Sequence, residues 1–159
     1  MMIEYYTDGA ATMRKINGEY IRENGGCAYV KLIDGVMVNQ WSYGEKKSTN
    51  NRMELMAILE ALKDFTKTSS TFDACVIYTD SAYSLNALTQ WAKKWRANGW
   101  KKKGGEIKNL EIIKEAMSIL DEYGACVSFV KVKGHSNNRW NCLVDSLAVK
   151  AKQQTGSDK

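Results

Sequence analysis

Hydrophobic and polar positions change their period several times along the chain. Ile3-Glu4-Tyr5-Tyr6-Thr7 reads as a strand that stops at Asp8-Gly9. Residues 26–33 and 36–43 read as two more strands, with Asp34-Gly35 between them as a tight hairpin signal. From Asn51 to Phe65, Met53, Met56, Leu59, Leu62 and Phe65 recur at helical spacing, and Asn51 with Glu54 makes a candidate capping pair. Ala74 to Thr79 is a short apolar strand, followed at once by a helix from Asp80. Leu110, Ile113, Met117 and Leu120 mark a further helix, residues 126–132 a fifth strand, and Trp140 to Lys152 a last helix. Three meandering strands followed by strand–helix alternation predict an α/β fold, a mixed five-stranded sheet flanked by helices. No linker, repeat or low-complexity segment interrupts it, so one domain is expected over residues 1–152, with 153–159 a loose polar tail.

Composition narrows the class. A chain of 159 residues with 44% hydrophobic and 10% aromatic side chains has the material for a packed core and is not a disordered chain. No apolar run approaches the roughly 18 residues of a membrane span, and the first residues do not resemble a signal peptide. Cys27, Cys75, Cys126 and Cys142 are scattered, without the spacing of a zinc site, and read as buried thiols of an intracellular, cytoplasmic protein. The net charge of +5 is local. Trp91 to Lys103 holds six of the 23 basic residues and no acid, which leaves 17 basic against 18 acidic elsewhere. A basic patch on a nearly neutral body points to a polyanion partner.

Two segments nearly repeat each other, Tyr6-Thr7-Asp8-Gly9-Ala10 and Tyr78-Thr79-Asp80-Ser81-Ala82. Each places an Asp at the carboxyl end of a strand, where open α/β sheets bind ligands. Each Asp also has an ordinary explanation, Asp8-Gly9 as a turn and Asp80 as a helix cap. Glu54 has one too, as the partner of Asn51 at a helix start. Asp145 has Cys142, Ala148 and Val149 as helical neighbours, a half-apolar face on which a carboxylate needs a partner from elsewhere. If the four carboxylates converge, they suit hard divalent cations, and two such ions about 4 Å apart serve phosphodiester hydrolysis.

These residues resemble the motifs of type 1 ribonuclease H, which cuts the RNA strand of RNA–DNA hybrids. The likeness runs from Tyr5 to about Lys152. Tyr6-Thr7-Asp8-Gly9, Thr49-Asn50-Asn51-Arg52-Met53-Glu54-Leu55, Thr79-Asp80-Ser81 and Asp145-Ser146-Leu147-Ala148 resemble the four carboxylate motifs in order. Lys133-Gly134-His135-Ser136 resembles the loop whose His assists turnover. The resemblance implies that Asp8, Glu54, Asp80 and Asp145 are catalytic and hold two Mg²⁺ ions, with Mn²⁺ as the alternative, and that His135 is an accessory catalytic residue. It further implies a basic protrusion formed by Trp91, Trp95, Trp100, Lys101 and Lys102, and a DNA-phosphate pocket of Lys47, Thr49 and Asn109. Asn50 and Asn51 would reach the minor groove. The implied partner is an RNA–DNA hybrid, with no membrane and no obligate protein partner, and the implied state is a monomer.

Two departures from the family pattern stand out. A longer segment without proline, Ala10 to Gly25, replaces a Gly/Pro-rich loop, so its substrate contacts have no counterpart to carry over. Ala82 stands where a Gln is common, which removes a minor-groove contact. Two competing readings are another nuclease of the same fold acting on DNA and a non-catalytic hybrid-binding module. The first lacks a Trp-rich basic protrusion at this place, and the second needs no full carboxylate set.

Overall fold

The computed structural model describes residues 1–68, 74–133 and 138–157. Its strands are β1 (Met2–Ile16), β2 (Glu19–Ile33), β3 (Val36–Glu45), β4 (Ala74–Thr79) and β5 (Val127–Lys131). Its helices are α1 (Asn50–Thr68), α2 (Ala82–Asn86), α3 (Ala92–Ala97), α4 (Leu110–Tyr123) and α5 (Arg139–Ser157). A wider π-type turn at Ala87–Trp91 joins α2 to α3. The five strands form one mixed sheet in the order β3-β2-β1-β4-β5, antiparallel among β1–β3 and parallel from β1 through β4 to β5. This is the predicted α/β architecture.

Alternation along β1 divides the core between the two faces of the sheet. Ile3 and Tyr5 pack with Leu55, Ile58, Leu62 and Phe65 of α1 and with Ile112 and Ile113 of α4. Tyr6 points the other way and joins Ala28, Val30 and Leu32 of β2 under Val144 and Ala148 of α5. Glycines bring the helices close. A Cβ at Gly9 would strike the backbone of Met53 and Glu54, and one at Gly26 would strike that of Ala148 and Lys152. A buried cation is satisfied against the sheet: Lys31, 4% exposed, pairs with Asp64 at 2.8 Å, and the Tyr5 hydroxyl donates to the same carboxylate at 2.6 Å.

The structure corrects four expectations. The first strand does not stop at Asp8-Gly9. Asp8 pairs with Ala28 and Gly9 with Cys27 inside the ladder, and β1 runs on to Ile16. The chain reverses instead at Asn17-Gly18, whose φ values of 51° and 82° suit a two-residue hairpin turn. Residues 10–25 are therefore the distal part of a long β1–β2 hairpin, with a register shift between Ala11 and Met13. The helix expected from Asp80 starts at Ala82, capped by the Ser81 hydroxyl, which accepts from the Ser84 amide at 3.1 Å. The expected tail is helical through Ser157, because Ala151 is buried and the Thr155 hydroxyl donates to its carbonyl at 2.9 Å. Among the cysteines only Cys27 and Cys75 are buried; Cys126 is half-buried and Cys142 exposed, since Cys142 lies on the outer side of α5. Among the described residues, no helix is long and apolar enough to cross a membrane.

Candidate active site and nucleic-acid groove

Three elements bring three carboxylates together. Asp8 lies within β1, Asp80 directly follows β4, and Glu54 stands in the first turns of α1. One carboxylate oxygen from each lies within 4.8 Å of the other two. The ordinary explanations for these residues do not hold. Asp8 is not in a turn, and Ser81 rather than Asp80 caps α2. Thr49 caps α1, its hydroxyl accepting from the Arg52 amide at 3.1 Å. Glu54 instead accepts from the Gly9 amide at 3.0 Å, and the same amide lies 2.9 Å from Asp8 Oδ1. Asp145 stands on an exposed part of α5, outside that trio but within hydrogen-bonding reach of Asp8. All four line one cleft of about 430 Å³.

Burial and mutual repulsion dominate the electrostatics. Burial pushes the Asp8 carboxyl up to about 7, and the neighbouring Asp145 and Asp80 add to the rise, while a hydrogen bond with Glu54 opposes it. Glu54 is driven well above the ordinary carboxylate range, first by burial and then by the charge of Asp8. Among the described residues, Glu54 Oε2 is buried without a hydrogen-bond partner. An all-oxygen set with an orphaned buried acceptor and clustered negative charge fits hard divalent cations.

A second cavity, of about 450 Å³, adjoins the cleft and shares Asn51 and Tyr83 with it. Lys47, Thr49, Asn109, Trp91, Trp95 and Lys102, all expected to contact nucleic acid, line it. So do Arg22, Ser48, Arg52 and Lys108, which the sequence reading did not single out. Arg52 is held by Glu45 at 2.9 Å and Glu111 at 3.0 Å, whereas Arg22, Lys47, Lys102 and Lys108 have no carboxylate partner among the described residues. Ser48 is 2% exposed, and its hydroxyl has no partner there. Uncompensated cations around an unused hydroxyl make a lining suited to an anion.

The remaining candidates divide. Asn50 lines the carboxylate cleft, with its side-chain oxygen 2.6 Å from the Ala11 amide. Trp91 and Trp95 do two jobs, lining the cavity while packing on each other at 6.0 Å and against the core. Trp100 and Lys101 do not join them. Trp100 packs on the core with the Lys114 ammonium 5.6 Å from its ring, and Lys101 is exposed beyond the cavity. Arg96 is paired with Asp121 at 2.7 Å. His135 lies outside the described residues. Arg22 was hidden because it comes from the far end of β2, and only the hairpin brings it to α1.

The RNase H family profile matches residues 2–153. The chain is 38% identical over 152 residues to "Ribonuclease H" of Rippkaea orientalis, covering 94% of this chain and 85% of that protein. It is 37% identical over 145 residues to "Ribonuclease H" of Caldicellulosiruptor saccharolyticus, covering 90% of each. Among solved structures, LC9-RNase H1, described as a type 1 RNase H with the type 2 active-site motif, superimposes with a TM-score of 0.77 at 27% identity, covering 97% of this chain and 73% of that one. LC11-RNase H1 in complex with RNA/DNA hybrid shares the fold, with a TM-score of 0.68 at 22% identity and coverage of 98% and 99%.

Proposed function

The chain belongs to the ribonuclease H family and is a ribonuclease H enzyme, and from that premise we propose that it is an endonuclease hydrolysing the RNA strand of RNA–DNA hybrids. The products would carry 5′-phosphate and 3′-hydroxyl ends. The observation that carries this reading is the meeting of Asp8, Glu54 and Asp80 within 4.8 Å, beside a cavity lined by cations and two Trp rings.

Asp8, Glu54, Asp80 and Asp145 are the residues that would hold two divalent cations, Mg²⁺ or Mn²⁺. Such ions supply a nucleophilic water at neutral pH and offset charge on the leaving oxygen. Bound cations favour the ionised form of both Asp8 and Glu54. Glu54, which lines the cleft with Asn50 and Asn51, would accept from a ribose 2′-hydroxyl, the group that distinguishes RNA from DNA. Lys47, Ser48, Thr49 and Asn109 would take a phosphate of the DNA strand, and this fixes the register of the duplex across the cleft. Trp91, Trp95 and Lys102 extend that contact. Trp100 and Lys101 act at its margin, and His135 helps turnover. The enzyme is read as a cytoplasmic monomer built on one ribonuclease H domain.

The test is cleavage of an end-labelled RNA–DNA hybrid beside matched duplex RNA, duplex DNA and single-stranded RNA, with Mg²⁺ and with chelator. Metal-dependent cutting of the hybrid's RNA strand is expected. Comparable cutting of duplex DNA would sink the reading in favour of a DNA nuclease of the same fold, and binding without cutting would favour a hybrid-binding module.

A further inference from the structure

The distal β1–β2 hairpin has no core of its own: every residue from Met13 to Arg22 is exposed. A two-stranded ribbon is marginal in water unless something holds it. Here its base is tied at two points, to Ser48 of the anion-cavity lining and to Asn50 at the start of α1, which lines the carboxylate cleft. The Ser48 amide donates to the Glu23 carbonyl at 3.0 Å, and the Ala11 amide donates to the Asn50 side chain at 2.6 Å.

Directly opposed residues of an antiparallel pair share a face, and faces alternate along each strand. Past the register shift, Met13 opposes Arg22 and Lys15 opposes Tyr20; these form one face. Arg14 opposes Ile21 and Ile16 opposes Glu19; these form the other. The two faces differ in charge. The second is mixed, with Glu19 present and Arg14 bound to Glu23 at 2.6 Å. The first carries only cations. Lys15 lies 5.6 Å from the Tyr20 ring, and neither Lys15 nor Arg22 has a carboxylate partner among the described residues. Arg22 lines the cavity together with Lys47 and Thr49, so the cationic face continues that lining outward. Tyr20 is 69% exposed and Met13 56%.

We infer that this ribbon is an arm that grips the nucleic-acid duplex beyond the cleft, with Arg22 and Lys15 on backbone phosphates and Tyr20 against a sugar or base. The inference rests on the hybrid-nuclease reading and extends it. Charge complementarity and continuity with the anion cavity select a nucleic acid as the occupant. Four residues of strand reach about 13 Å, which spans about four phosphates of one strand.

The test is hybrid binding in chelator as a function of salt, using one hybrid that fills only the cleft and one about four base pairs longer. Lys15→Ala with Arg22→Ala should flatten the log–log salt slope on the longer hybrid by roughly 1–2, and the gain from lengthening should shrink. Lys15→Glu with Arg22→Glu should weaken binding further. Tyr20→Ala should weaken binding with the slope unchanged. Arg14→Ala, on the opposite face, should match the wild type. If the wild type binds both hybrids and the Ala pair keeps the wild-type slope and length dependence, the arm is not a duplex contact. Concentration-dependent dimerisation abolished by Tyr20→Ala would also overturn it, in favour of a second copy of the chain. A wild type that binds no hybrid at all overturns both this inference and the reading beneath it.

Discussion

Asp8 and Glu54 share one backbone donor, the amide of Gly9, which lies 2.9 Å from the first carboxylate and 3.0 Å from the second. Two buried acids on different elements thus share one N–H, and the second oxygen of Glu54 has no partner among the described residues. The crossing of β1 over α1 is as tight as the bond is single, because no Cβ fits at Gly9.

Gly9→Ala should therefore lower stability by about 1–3 kcal/mol, the usual cost of overpacking a close contact. Cleavage of hybrid should fall further than the loss of folded protein explains, since the shift parts Asp8 from Glu54. Urea melts and turnover on the same samples check this. Unchanged turnover would mean that the crossing has slack.

Metal-free protein should lose stability as pH rises from about 4 to 7. The Asp8 carboxyl is raised in the folded state to about 7 from an ordinary value of 3.8, and Glu54 is raised in the same direction. Between those limits the folded state holds a proton that the unfolded chain has released, so stability declines with pH. Below the window both states are protonated, and above it the contribution of Asp8 is fully lost. Melting temperatures in chelator across this range should show a steeper decline for the wild type than for Asp8→Asn, and parallel curves would refute the assignment.

At pH 8 in chelator, Asp8→Asn should melt above the wild type, because it removes one of several crowded like charges, worth on the order of 1 kcal/mol. The same substitution removes a ligand, so the stabilisation that excess Mg²⁺ gives the wild type should shrink or vanish. Cleavage should be abolished. An Asp8→Asn protein that gains as much from Mg²⁺ as the wild type would show that Asp8 is not a ligand.

Lys102 and Lys101 are adjacent in sequence and unlike in position, the first lining the anion cavity and the second standing outside it. Lys102→Ala should flatten the salt dependence of hybrid binding by about 0.7–0.9, and Lys101→Ala by less. Equal effects would mean that the segment acts only as a diffuse patch.

Away from the site, Lys31→Ala should cost about 3 kcal/mol, since breaking a buried ion pair leaves Asp64 to the Tyr5 hydroxyl and little else. Lys31→Met combined with Asp64→Leu should cost less than the single change, because no unmatched charge remains. Denaturant melts of the three proteins settle the comparison.

Asp80 and Glu54 were legible because they stand at a strand end and a helix start that hydrophobic periodicity marks, whereas Asp8, inside β1, and Asp145, within α5, were legible only through their motif neighbours. The path of β1 was not. Asp8-Gly9 has turn chemistry, and nothing local reveals that Gly9 is present for its missing Cβ under α1. Asn17-Gly18, between Met13-Arg14-Lys15-Ile16 and Glu19-Tyr20-Ile21-Arg22, was the better hairpin signal, and the hairpin it closes brings Arg22 to the cavity that Lys47 lines. Trp100 shows the converse limit. Its spacing from Trp91 and Trp95 matches an aromatic stripe, yet Gly99 and Trp100 adopt φ values of 70° and 62° that turn the chain and fold this ring onto the core.

Tyr6 and Tyr78 are partners in the parallel register of β1 and β4, and Asp8 and Asp80 each follow two residues later. The register brings the two acids out level with each other just past the last paired residues of adjacent strands, whose spacing of about 4.8 Å is a constant of the peptide backbone. The backbone acts as a ruler that no side chain has to maintain. A slip of one residue would turn one acid to the opposite face, so the distance is either correct or lost altogether. Sequence drift around the strands leaves the ruler intact as long as the pairing holds, and the near-repeat Tyr-Thr-Asp is its imprint on the chain.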